Sequence, residues 1–291
     1  MKIVTFYANG KRENYRIGTL VSADEIIDLT NIVSDKDLTA HQILNCFDLE
    51  SGFFAKAKAE IQKNLPKIKR GEIEICAPVP RPNKIICIGL NYKNHAEESG
   101  MPIPKSPIIF SKFATCIVGA SQPILLPKGS VQVDYEAELA FIVGRKAKNV
   151  RKEDAMNYVF GYTNFNDVSA RDFQFADGQW TRGKSCDTFA PTGEFIATKD
   201  EIADPHNLRI QFRLNGETLQ NSTTAELIFK IPELVEFLSA TIKLEPGDII
   251  ATGTPPGVGF ARKPPIFLKD GDTAEVEIEG LGILSNPVKT E

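Results

Sequence analysis

Apolar and polar residues alternate along residues 134–144, DYEAELAFIVG. A period of two predicts a strand with Tyr135, Ala137, Leu139 and Phe141 on one face. Asp134, Glu136 and Glu138 share the other face, with neighbours in that row about 6.6 Å apart. Beyond Glu138 the same row becomes Ala140 and Ile142, so the acidic face runs into something apolar. A second alternating stretch, AEVEIEG at 274–280, is an internal control. Its row of Glu275, Glu277 and Glu279 begins at Thr273 and stays polar to its end, which water explains. The row in 134–144 is expected to point inward.

Elsewhere the pattern predicts a small β-rich module followed by many short strands. MKIVTFYANGKRENYRIGTLV contains two strand-like runs joined by a turn at Asn9-Gly10. Two short amphipathic helices follow, the second from about Ser51 to Leu65 with Phe53, Phe54, Ala57 and Ile61 on one stripe. The proline-rich stretch APVPRPNK (77–84) separates an N-terminal α+β module, 1–76, from a catalytic domain, 83–291. In the latter, KIICIGL, SPIIF, PILLP, LAFIVG and YVFGYTNF are short apolar runs between Gly, Pro and Asn signals. QFRLNGETLQ is expected to be a hairpin turning at Asn215-Gly216. Pro232 suits the first turn of a helix running to about Ala240, and Glu245-Pro246-Gly247-Asp248 a turn before strand DIIATG. The expected class is α+β, mostly β.

Composition narrows the functions available. The 291 residues carry a formal net charge of −4, with both signs mixed along the chain. Neither nucleic acid nor an anionic membrane is indicated as a partner. The longest apolar stretch, Ile108 to Leu126, is interrupted by Lys112, Gly119 and Pro123, so no bilayer span is expected. No signal-peptide pattern is present, and the cytoplasm is the expected compartment. Five widely spread cysteines without a C-x-x-C read as reduced, mostly buried thiols.

Candidate chemistry begins with the acidic row. Two carboxylates in one interior pocket repel, so either one is protonated or a cation lies between them. Their i, i+2 spacing is compatible with bridging by Mg²⁺ or Mn²⁺. Asp167, in GYTNFNDVSARDFQ, falls where a strand ends and before a short helix from about Ser169. It is either a functional acid on a rigid scaffold or a helix-start acid stabilised by the dipole. On that helix Arg171 and Gln174 lie one turn apart, a pairing suited to a carboxylate or carbonyl oxygen.

GQWTRGKS (178–185) satisfies G-x-x-x-x-G-K-[ST] but lacks the strand before it and the helix after it that a phosphate loop needs. Nucleotide binding is therefore not expected; Lys184 is a cation in a glycine-flanked loop, on the surface or in a site. In GLNYKNHAEESG (89–100), His95 and Glu98 are adjacent on a helical turn. A carboxylate beside an imidazole raises its basicity and fixes its tautomer, as a general base requires; a surface contact is the alternative. ATGTPPGVGF (251–260) offers close-approaching N–H groups and the Thr254 hydroxyl, or else a structural turn.

N-Y-x-x-H, E-x-E before an apolar run, N-D-x-S-A-R-D-x-Q, G-K-S and T-G-T-P-x-G-V-G follow one another along the chain. In this set the sequence resembles the fumarylacetoacetate hydrolase family over about residues 83–291. The resemblance implies a mixed β-sandwich or roll catalytic domain carrying a variable N-terminal extension. It implies that Glu136, Glu138 and Asp167 ligate Mg²⁺ or Mn²⁺ and that Lys184 stabilises negative charge on the substrate. His95, backed by Glu98, would activate water from a lid helix. Arg171 and Gln174 would face the substrate, and Thr254 with its loop would hold the substrate carboxylate. Larger members have another metal-binding acid early in the His95 segment, where Gly89-Leu90-Asn91-Tyr92 offers none. The chain is therefore closer to the small members acting on acylpyruvates, oxaloacetate or related diketo acids. The implied reaction is metal-dependent hydrolysis of a C–C bond in a 2,4-diketo acid through an enolate. Oxaloacetate decarboxylation and keto-acid isomerisation or tautomerisation are the alternatives, and a homodimer is implied.

Overall fold

Strand Ala137–Val143 is buried at every position, and the fold is built around it. One face, with Tyr135, Leu139 and Phe141, joins a core shared with Phe212, Val276 and Leu234. The other, with Ala140 and Ile142, packs with Ile3, Phe47, Phe160 and Ile249. The alternation in the sequence thus separates two interiors, not an interior from solvent. The computed structural model describes all residues except 9, 10, 64 and 177, and all their side chains except those of 11–13.

Ala137–Val143 pairs antiparallel with Val159–Asn166 on one side and Ile249–Ala251 on the other. These belong to an eleven-stranded sheet. Beyond Ile249–Ala251 it continues through Ile85–Gly89, a parallel neighbour, to Ile108–Lys112 at the edge. In the opposite direction Val159–Asn166 pairs with Ile196–Thr198, which pairs in turn with Lys2–Ala8. The strands of the N-terminal segment therefore extend the same sheet, and its helices Ala40–Cys46 and Phe53–Glu60 help cover one face. A five-stranded sheet, in the order Glu217–Thr223, Arg209–Leu214, Thr273–Ile278, Gly282–Thr290, Ile124–Leu126, packs on the other face. The result is a mixed, mostly β α+β architecture, as expected.

Local expectations hold with small differences. Arg209–Leu214 and Glu217–Thr223 form the hairpin, and Asn215 and Gly216 both take positive φ (53° and 84°), as a tight primed turn requires. The helix expected near Pro232 spans Ile231–Thr241. The helix expected over 51–65 spans only Phe53–Glu60, because left-handed Gly52 (φ 76°) precedes it and the chain turns after Ile61. The turn expected at Asn9-Gly10 lies outside the described residues. The control row behaves as predicted: Glu275 and Glu277 are half-buried and meet Arg213 across the sheet at 3.0 and 2.5 Å. All five cysteines are free, and four are buried. Among the described residues, no helix is long and apolar enough to cross a membrane.

Candidate metal centre and active site

The inward acidic row is real, but the strand does not run through it unbroken. Val133–Asp134 pairs with Ser169–Ala170, and the long strand restarts at Ala137, leaving Tyr135 and Glu136 between two ladders. The break aims Glu136 and Glu138 at Asp167, which follows the end of Val159–Asn166 as predicted. Each of these three buried residues offers an oxygen, and the three oxygens lie within 4.8 Å of one another.

Cations surround the triad. Lys184 Nζ donates to Glu136 Oε2 and Asp167 Oδ2, both at 2.8 Å. Arg171 donates to Glu136 Oε1 at 2.6 Å, to Asp134 Oδ2 at 2.9 Å and to Gln174 Oε1 at 3.0 Å. This leaves two guanidinium N–H groups and the Gln174 amide nitrogen for a ligand. Lys112, fully buried, donates to Asp167 Oδ1 and to the Val168 carbonyl (2.9 Å).

Four buried carboxylates (Asp134, Glu136, Glu138, Asp167) therefore face three buried cations. The excess negative charge falls on Glu138, whose hydrogen-bond donor is the Gly253 N–H at 2.8 Å. Burial first, then Asp167 and Glu136, push its carboxyl well above the ordinary range. Burial would also raise Glu136, but Lys184 and Arg171 outweigh it and hold that carboxyl below the usual range. For Lys184 burial opposes the charge, and Asp167 and Glu136 more than restore it. An oxygen-only donor set with one uncompensated carboxylate fits a hard divalent cation.

His95 and Glu98 lie on the short helix Lys93–Glu98, which follows strand Ile85–Gly89 after a turn at Leu90. His95 Nδ1 is 3.3 Å from Glu98 Oε1, and Glu98 Oε2 accepts the Gly257 N–H at 2.8 Å. The Nδ1 contact leaves Nε2 for chemistry. Asn91 anchors the turn by donating to the Phe229 and Thr252 carbonyls at 2.9 and 2.8 Å.

The glycine-rich loop after Ile249–Ala251 prolongs the sheet's register through side chains. Ala140 pairs with Ala251, and Thr252 N–H reaches the Leu139 carbonyl at 3.0 Å. Gly253 serves Glu138, and Thr254 Oγ1 donates to the Ala137 carbonyl at 3.0 Å. Tyr135 Oη donates to the Gly257 carbonyl at 3.1 Å, and the N–H groups of Gly259 and Phe260 cap Asp134 at 2.7 and 3.1 Å. The loop is thus a strip of donors for the protein's own carboxylates. The single proton of the Thr254 hydroxyl is committed to that ladder, so a substrate carboxylate would meet this oxygen only as an acceptor.

His95, Glu136, Glu138, Arg171, Gln174, Lys184 and Thr254 all border one cavity of about 270 Å³. Glu98 stands behind His95, and Asp167 behind Glu136 and Glu138. The far wall is apolar, with Leu90, Phe110 and Trp180. Lys184 ends the five-residue helix Trp180–Lys184, so the motif lysine lies at a helix C-terminus and not at the N-terminus a phosphate loop uses. Sequence reasoning passed over Lys112, although a lysine amid SPIIFSKFATCIV was the available signal. Asp134 belonged to the acidic row but braces Arg171 instead of joining the triad.

The C-terminal-domain model for fumarylacetoacetate (FAA) hydrolase matches residues 84–289. The mitochondrial oxaloacetate tautomerase fahd2 of Xenopus laevis is 46% identical over 291 residues, covering 99% of this chain and 90% of that protein. A fumarylacetoacetate hydrolase from psychrophilic Exiguobacterium antarcticum superposes over the whole of both chains with a TM-score of 0.86 and 36% identity. Maleylpyruvate hydrolase from Sphingobium sp. SYK-6, in complex with manganese(II) and pyruvate, gives 0.82 and 32% over 100% of this chain and 99% of that one. The expected cytoplasmic location is overturned, because the Xenopus relative is a mitochondrial protein.

Proposed function

The chain belongs to the fumarylacetoacetate hydrolase family, and from that premise we propose that it interconverts the enol and keto forms of oxaloacetate or a closely similar 2-oxo acid. The observation that carries this reading is the His95–Glu98 pair opening onto the same cavity as the acid triad and Lys184. Glu136, Glu138 and Asp167 would hold Mg²⁺ or Mn²⁺, which when bound supplies positive charge beside the 2-oxo group. Lys184 adds a fixed ammonium where negative charge develops on the enolate oxygen. Arg171 and Gln174 keep donors for a carboxylate of the substrate. His95 moves the proton at C3 while the enol hydroxyl proton exchanges with water: as imidazolium it delivers the proton to the enolate carbon, and as imidazole it removes it. Glu98 Oε1, 3.3 Å from Nδ1, would accept the N–H there and leave Nε2 to carry the proton. The name of the Xenopus relative supports the substrate.

A second reading is hydrolysis of the C3–C4 bond of a 2,4-diketo acid, with His95 taking a proton from water. The likeness to maleylpyruvate hydrolase favours it. Both reactions share the enolate and differ in whether water attacks. The test follows decay of enol absorbance for oxaloacetate and pyruvate release from acylpyruvates, each with Mg²⁺ or Mn²⁺. Faster ketonisation without pyruvate release supports the first reading, and stoichiometric pyruvate with a carboxylic acid supports the second. Folded protein that accelerates neither reaction with either metal sinks both. His95→Ala is expected to abolish either activity, and Glu136→Ala or Asp167→Ala to abolish metal binding with it.

A further inference from the structure

The peptide groups on either side of Gly257 join the core to the proton-transfer pair. The N–H of Gly257 donates to Glu98 Oε2 at 2.8 Å, while its carbonyl accepts from Tyr135 Oη at 3.1 Å and Arg262 Nε at 3.3 Å. Gly257 sits at φ 103°, and a Cβ there would lie 2.3 Å from the Leu219 carbonyl oxygen, so the chain can take this path only with glycine. Tyr135 is itself tightly packed. Its ring is fully buried and stacks on Phe212 at 3.9 Å with an interplanar angle of 2°.

We infer that Tyr135 is a positioning residue: through Gly257 it fixes Glu98, and through Glu98 the ring of His95. Tyr135 touches neither the cavity nor a reacting atom. Its neighbour Glu136 belongs to the acid triad, so one short segment places both the charge site and, by way of Gly257, the proton carrier. The loss of this hydroxyl should therefore affect proton transfer and leave metal affinity alone. The inference rests on the role assigned to His95 and Glu98 above.

Tyr135→Phe keeps the stacked ring and removes only the hydroxyl. A hydrogen bond of ordinary strength corresponds to roughly a three- to tenfold change in rate. The expected result is a fall of about that size in kcat, with KM and the Mn²⁺ dissociation constant unchanged. Amide hydrogen exchange of the metal-free variant should quicken over 93–98 and around 257, and nowhere else. Trp180 borders the cavity and is the single tryptophan of the chain, so its fluorescence reports Mn²⁺ binding independently of turnover. Unchanged kcat and unchanged exchange overturn the inference. A parallel loss of kcat, Mn²⁺ affinity and exchange protection across the sheet also overturns it, since that is general loosening. If Tyr135→Phe does not fold, Arg262→Met removes the other donor to the same carbonyl from a partly exposed side chain and is judged by the same criteria. Wild-type protein without metal-dependent activity would fail the proposed function instead, leaving the exchange measurement to decide the role of Tyr135.

Discussion

Replacing Glu138 with glutamine asks whether the acidic row is maintained for a cation. The amide keeps the shape and an oxygen for the Gly253 N–H, and removes one charge from a triad whose oxygens lie within 4.8 Å of one another. Two unit charges at that separation repel by about 3.5 kcal/mol at an effective dielectric near 20. Lys184 already offsets part of the field of Glu136 and Asp167. Relief in the metal-free protein should therefore be about 1–3 kcal/mol. For a chain of this size that corresponds to an increase in Tm of several degrees, at roughly 2–4 °C per kcal/mol. Wild-type protein gains about 2.7 kcal/mol from an ion at a hundred times its Kd, and the variant should lose most of that gain. The order of melting temperatures then inverts when Mn²⁺ is added.

The pH dependence has a definite sign as well. The folded carboxyl of Glu138 is raised by burial and by Asp167 and Glu136, so the folded state binds the proton more tightly than the unfolded chain. Metal-free wild type should gain stability as pH falls toward the ordinary carboxylate range and lose it as pH rises; Glu138→Gln should lack this component. Scanning calorimetry with and without Mn²⁺, in mildly acid and mildly alkaline buffer, measures all of it. A metal-free Glu138→Gln protein that melts below wild type and keeps its full Mn²⁺ shift would refute the reasoning.

Lys112→Met leaves Asp167 with one buried cation instead of two and should cost the metal-free protein about 3 kcal/mol in urea unfolding; a loss below about 1 kcal/mol would remove Lys112 from the balance of charge. Gly183→Ala places a Cβ 2.5 Å from the Gln174 nitrogen and 2.6 Å from the Ala170 carbonyl oxygen, both backbone atoms. It should destabilise by about 1–3 kcal/mol and, by displacing Lys184, reduce kcat more than tenfold, and wild-type kinetics would contradict this. His206 Nε2 accepts the first N–H of helix Ile231–Thr241 at 3.2 Å, and burial lowers its pKa. Its contribution to stability is complete above the unfolded histidine value and diminishes as pH falls through it toward the folded value. His206→Gln should flatten that acid-side slope in chemical denaturation, and an identical slope would exclude the histidine as its source.

Where the information is local, the sequence is a good guide. Alternation in 134–144 decides which side chains share a face, and its apolar continuation marks Glu136 and Glu138 as inward-pointing. Strand-end placement picks out Asp167, helical spacing pairs His95 with Glu98 and Arg171 with Gln174, and the absence of flanking elements disqualifies GQWTRGKS as a phosphate loop. All of these depend on residues a few positions apart, whose relative directions follow from backbone geometry alone.

What only the tertiary structure decides is where distant segments meet. Lys112 comes 55 residues along the chain to reach Asp167, from a strand whose apolar run gave it no visible purpose. The loop after Ile249–Ala251 carries N–H groups whose partners the sequence leaves open, and three of them meet Asp134, Glu98 and Glu138. The Thr254 hydroxyl, an open donor in the sequence, is committed to Ala137 because the antiparallel register persists past the end of the strands. Hydrophobic period specifies faces; it contains no term for the mutual attraction of buried charges and unpaired N–H groups, which act only after the chain has closed around them.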